Sequence, residues 1–223
     1  MVCTQIIECL SCAITMGVKP LKFLTPMTSL RNQYLVRKTM LEMLSDRGYP
    51  IKEYQMKDYD EFVNKYPSCV KDTSNLRIIV QKDKEMLFVF FSDEEKMSLK
   101  NVKILVENIE KQNIKNLIVV LREGISPAAS KFALECPVNI TIFKEKELLF
   151  NVTKHSLVFK HRIITLEEKE KLLEEKKIKE EQMPKILVTD PVAKYLGAKK
   201  GDVLEIERES ETAGFALYWR RAM

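Results

Sequence analysis

His155 and His161 are the only histidines in this sequence, the residue type suited to acid–base work near neutral pH, so acid–base or metal chemistry is sought there first. They stand six apart in KHSLVFKH. On a strand they would share a face but lie about 20 Å apart at the usual rise, too far for one metal ion. Cys9 and Cys12 have the C-x-x-C spacing of zinc and redox sites, but no second pair or Cys/His knuckle follows to complete four ligands. A metal-dependent nuclease would need an acid on one central strand, then a carboxylate and a lysine two residues apart on the next, so that metal and water meet at the phosphate. The runs RIIV and MLFVFF carry no acid, and the nearest candidate, Glu94 with Lys96 in SDEEK, is expected in the loop after the strand. No G-x-S-x-G, Walker loop or G-x-G-x-x-G occurs, and six glycines leave little for phosphate-cradling loops. These residues point to no catalytic group, no cofactor and no metal.

The elements that would position such residues are better marked. The 223 residues are 45% hydrophobic and 31% charged, enough apolar material for one large domain or two small ones. Two are expected. A formal charge of +5, with the signs interleaved, permits contact with a polyanion but does not select it. Five irregularly placed cysteines argue against a secreted disulfide framework and for a reducing compartment. No apolar run approaches the roughly 18 residues needed to span a bilayer, and the opening MVCTQIIECLSCAITMGV lacks the basic start of a signal peptide. A soluble, intracellular protein with no membrane partner is expected.

Residues 1–26 lack periodicity and contain Gly17, Pro20 and Pro26, so they read as an extension, disordered or not native. With Ser29 as N-cap, LRNQYLVRKTMLEMLSDRG puts Leu30, Tyr34, Leu41 and Leu44 on one helical face and stops at Gly48. Asp58 and Glu61 have the spacing of a capping box on a short helix. LRIIVQ and EMLFVFF read as a buried hairpin, SLKNVKILVENIEKQ as a helix and LIVVL as a strand. SPAASKFAL reads as a helix with Ser126 as cap and Pro127 first, and VNITIF as another strand. This order predicts a mixed sheet covered by helices, an α/β domain over residues 27–149. A second, smaller α/β unit spans residues 150–223. Thr165 and Glu168 open a highly charged helix; Asp190 caps another with Pro191 first and Gly197 as stop; Lys199 to Gly201 turn; and VLEIER and ALYWRR flank the SETAG turn.

The runs HSLVFKH, QMPKI and DPVAKYLGAKKGDVLEIERESETAG, with Arg220, resemble the fifth common subunit of eukaryotic-type DNA-directed RNA polymerases, whose C-terminal half is similar to a small subunit of the archaeal polymerase. SDRGYPI, DYDEF and GISPAASK extend the resemblance back to about residue 29. Phe159 stands where the family usually has proline, Phe215 where it has arginine, and Ser126 to Ala129 read Ser-Pro-Ala-Ala instead of Thr-Pro-Ser-Ala. The resemblance implies an α/β (α+β) protein: an N-terminal mixed-sheet jaw similar to a nuclease fold without its active site, and a small C-terminal assembly domain. It implies a non-catalytic subunit docked on the largest subunit among the other polymerase subunits, in the nucleus, or wherever the host polymerase acts if the source is viral. The implied assembly motif comprises His155, His161, Pro184, Asp190, Pro191, Gly197, Gly201, Ser210, Glu211, Thr212, Gly214 and Arg220. The loop holding Ser126 and Pro127 is implied to lie near downstream duplex DNA. There the amides of a helix N-terminus, with Arg122 and Lys131, would meet phosphates irrespective of sequence. The alternative is a nuclease-like enzyme or a stand-alone nucleic-acid-binding protein.

Overall fold

The structure, a computed structural model, describes residues 25–56, 58–67, 73–82, 85–92, 94, 96–112, 114–210 and 214–223, and side chains from residue 30 onward except that of residue 74. Helix α1 runs Thr25–Asp46 and so begins four residues ahead of Ser29, the expected cap. The reason is local: the first N–H groups of a helix have no internal partner, so Pro26 in the first turn forfeits no hydrogen bond. Val36, Met40, Met43 and Leu44 are its buried face. Gly48, at φ +82°, ends it, with Tyr49 N–H donating back to the Leu44 carbonyl. Helix α2, Tyr59–Lys65, has Asp58 at its N-cap position, but the Asp58 side chain makes no capping bond, so the expected box is not formed.

Strands β1 (Ile78–Lys82) and β2 (Glu85–Phe91) form the expected antiparallel hairpin, with Ile78 opposite Val89 and Lys82 opposite Glu85. A two-residue strand β3 (Lys96–Met97) precedes helix α3 (Leu99–Glu110), capped by Ser98. Then follow β4 (Asn116–Leu121), β5 (Gly124–Ile125), α4 (Pro127–Glu135) and β6 (Asn139–Lys144). The main sheet has the order β1-β2-β4-β6, antiparallel at β1 and parallel from β2 to β6. Because successive residues of a strand face opposite ways, β4 serves two cores at once. Ile118 and Val120 pack toward α1, while Leu117, Val119 and Leu121 pack with Val102, Val106 and Ile109 of α3 and Ala129 of α4.

Single 3-10 turns at Glu145–Leu148 and Val152–Lys154 lead into the second sheet. Its strands are β7 (Lys160–Ile163), β8 (Lys185–Ile186), β9 (Val203–Ser210) and β10 (Gly214–Ala222), in the order β7-β9-β10-β8. Helix α5 (Leu166–Lys176) covers one face through Leu172, which packs with Val203, and α6 (Pro191–Leu196) covers the other through Ala193, which packs with Leu204. The Thr165–Glu168 capping box is present in full. KHSLVFKH is not one strand: Val158 N–H donates to the His155 carbonyl in a turn, and only His161 lies on β7. Glu211, Thr212 and Ala213 of the SETAG turn lie outside the described residues. No helix among the described residues is long and apolar enough to cross a membrane.

Candidate assembly and nucleic-acid surfaces

The loop after β4 is held by short-range bonds. Gly124 and Ile125 form β5, parallel to β3, and Ser126 N–H donates to the Met97 carbonyl at 3.2 Å. The Ser126 hydroxyl then accepts from Ala129 N–H at 3.3 Å and Pro127 occupies the first helical position, the cap read from the sequence. Lys131 is exposed on α4. Arg122 is half-buried, with its guanidinium 3.9 Å from the Glu145 carboxylate, so its charge is partly answered within the chain. Glu94 accepts from the Asn101 side-chain amide, while Lys96 lies 3.9 Å from Glu123 and belongs to β3, not to a loop. The pair expected of a nuclease is thereby split between two partners. Among the described residues no group of three or more His, Cys, Asp or Glu is placed to hold a metal ion.

The residues of the assembly motif implied by the resemblance mostly serve the backbone. Asp190 accepts from the N–H groups of Val192 and Ala193 and opens α6, with Pro191 first. Gly197 closes it at φ +78°, a left-handed position that disfavours a side chain. Gly201 N–H donates to the Ala222 carbonyl, and the Pro184 carbonyl accepts from Arg221 N–H, tying β8 and the 199–201 turn to the end of β10. Ser210 and Gly214 are cross-strand partners at the β9–β10 turn, and Arg220 is exposed opposite Leu204. His155 accepts from Leu157 N–H through Nδ1, and His161 is paired in register with Ile206. Outside the motif's backbone duties, Phe159, Phe215, Leu217 and Tyr218 leave large apolar surface exposed beside it.

A third cluster escapes sequence reasoning. The Arg47 guanidinium donates through Nε to the Tyr195 carbonyl and through Nη2 to the Lys194 carbonyl, both at 2.9 Å, so a side chain of the first half closes helix α6 of the second. Burial lowers Arg47 to about 10, still charged at neutral pH, with the charge answered by those two carbonyls. The Tyr195 hydroxyl donates to Asp46 at 2.6 Å and accepts from the Asn151 amide at 3.0 Å; burial and the Asp46 bond push its pKa up. Asn151 also donates to Glu42 at 2.9 Å, beside Lys154 at 2.8 Å. Burial raises the Glu42 carboxyl, but the bonds from Lys154 and Asn151 together hold it below its ordinary value. Tyr195 belongs to the same core as α1 and β2. No short motif signals this cluster, because Arg47 and Asp46 lie 148 and 149 residues from Tyr195, and Glu42 lies 109 from Asn151.

Fold and surfaces together define a scaffold of two four-stranded sheets whose marked residues set turns, caps and the contact between its halves. Comparison with known proteins places that scaffold. The family model described as RNA polymerase Rpb5, N-terminal domain, matches residues 28–109, and that of the Rpb5 C-terminal domain matches residues 150–222. The DNA-directed RNA polymerases I, II, and III subunit RPABC1 of Caenorhabditis briggsae is 35% identical over 195 residues, covering 83% of this chain and 92% of that protein. The corresponding rpabc1 of Dictyostelium discoideum is 38% identical over 193 residues, covering 83% of this chain and 94% of its own. The chain belongs to the Rpb5 family.

Proposed function

We propose that this chain is a non-catalytic subunit of a nuclear DNA-directed RNA polymerase. Residues 150–223 dock it on the largest subunit, and residues 27–149, with Thr25 and Pro26 that begin α1, form a jaw beside downstream duplex DNA, the residues ahead of α1 being an appended extension. The observation that carries this reading is that both Rpb5 family models match this chain, one in each half, and that its relatives are named as a subunit of RNA polymerases I, II, and III. The use of Asp190, Gly197 and Gly201 for shape supports an assembly role. The exposed Phe215, Leu217 and Tyr218 beside them offer apolar area for a permanent partner. At the other end, the Ser126 cap and Lys131 offer donors and charge that suit phosphates without reading bases. The alternative, a nuclease-like enzyme, is not favoured by the comparisons, and Glu94 and Lys96 are held by separate partners. Affinity purification of the tagged full-length chain, followed by mass spectrometry, tests the reading. Recovery of the largest polymerase subunits in near-equal amount is expected; recovery of the chain without them would overturn it.

A further inference from the structure

The outer edges of the two sheets open into one cleft. β6 is an outer strand of the first sheet and β7 of the second. Asn139 N–H donates to the Lys115 carbonyl, on the β4 side; in a parallel ladder a residue's donor and acceptor point the same way and alternate along the strand. Ile140 and Ile142 therefore direct their N–H and C=O groups away from β4. Ile164 N–H donates to the Val203 carbonyl, on the β9 side, so by the same alternation His161 and Ile163 direct theirs away from β9. All four residues line a cleft of about 1070 Å³.

The charge on the walls is uneven. Lys82, Lys199 and Lys200 outnumber Glu85, while Arg162 is paired with Glu168 and Glu205, Lys194 with Glu147, and Asp46 and Arg47 are engaged with Tyr195. Lys199 and Lys200 are exposed on the turn after α6. We infer that this cleft receives an extended, acidic segment of a partner polypeptide, added as a strand to the outer edge of β6 and facing β7. Alternating outward donors and acceptors match a peptide backbone. A nucleic-acid backbone does not match them, because phosphates offer acceptors only and would leave the outward carbonyls without donors. The half-buried Ile140, Ile142 and Ile163 provide apolar wall for alternate side chains of the segment, and the lysines select acidic residues between them.

The test uses the full-length protein and a capped octapeptide of alternating Glu and Val, against the same peptide with Lys for Glu. The Glu peptide is expected to slow amide hydrogen exchange in residues 139–144 and 160–164. It should bind on the order of tenfold more tightly than the Lys peptide, as a few opposite-charge contacts allow. The double variant Lys199→Glu/Lys200→Glu, exposed and outside both cores, is expected to reverse that preference with the melting temperature unchanged. Equal affinity for the two peptides, no protection of the two strands at millimolar peptide, or protection by an octamer of deoxythymidylate alone would overturn the proposal.

Discussion

Arg47 joins the last carbonyls of α6 to the end of α1 with one planar group, and its removal leaves both carbonyls without that partner. Arg47→Ala is expected to cost about 2–4 kcal/mol, since charge-assisted bonds to partly buried acceptors are lost together with packing. A urea melt with a lower midpoint and unchanged slope would show it, and an unchanged midpoint would contradict the contact. Glu42 adds a pH dependence. Its folded pKa lies below the ordinary 4.5, so the stability it contributes is present above the unfolded value and is lost as pH falls through the folded one. Glu42→Gln should therefore flatten the acid limb of a stability profile below about pH 5, and an identical limb in the variant would count against it. At the proposed DNA surface, Lys131→Ala in the assembled polymerase should lower the salt slope of downstream-DNA retention by about one unit. Arg122→Ala should lower it less, because Glu145 already neutralises part of that charge.

Helix α6 has only six residues and depends on its ends. Asp190 supplies two bonds at the start, Pro191 fixes the first φ, and Gly197 turns the chain at the finish. Gly197→Ala has two consequences: φ +78° disfavours any Cβ, and the Cβ would lie 3.0 Å from Arg47 Cζ. The expected loss is about 1–2 kcal/mol, read as a fall of several degrees in the melting temperature. Asp190→Ala should cost about 1 kcal/mol through the cap alone. If Gly197→Ala and Arg47→Ala prove additive in a double-mutant cycle, the cap and the guanidinium do not share a seat.

At the scale of the whole molecule, the two sheets are coupled through Tyr195, which lies in the second half but is buried in the core of the first. The hydroxyl bonds to Asp46 and Asn151 add orientation to that burial. Thermal unfolding is thus expected to be a single cooperative transition. Tyr195→Phe should destabilise both halves together, by about 1–2 kcal/mol for the orphaned partners. Two resolved transitions, with only the C-terminal one moving, would show the halves to be independent.

Much of the local structure is legible in the sequence itself. The Ser126, Thr165 and Asp190 caps, the Gly48 and Gly197 stops, and the two apolar runs of the hairpin are set by neighbours a few residues away, where periodicity and turn chemistry act. The proposed assembly and DNA-facing residues follow from resemblance; the turn at Gly201 is read from the sequence, but its bond to Ala222 and that of Pro184 to Arg221 emerge only with the folded β10. The start of α1 ahead of Ser29, the bare Asp58, the separation of the histidines by a turn and the placing of Lys96 on β3 depart from the local reading. The first and third have local causes, Pro26 in the first turn and a short-range turn bond, whereas the placing of Lys96 depends on the pairing of β3 with β5 further along the chain. Arg47 and Tyr195 are 148 residues apart, and nothing in the spacing of either marks the other. Which strand edges are left open to one cleft is likewise decided by the order of strands in two sheets and the contact of α1 with α6, which are long-range choices made by burial of area and satisfaction of buried polar groups.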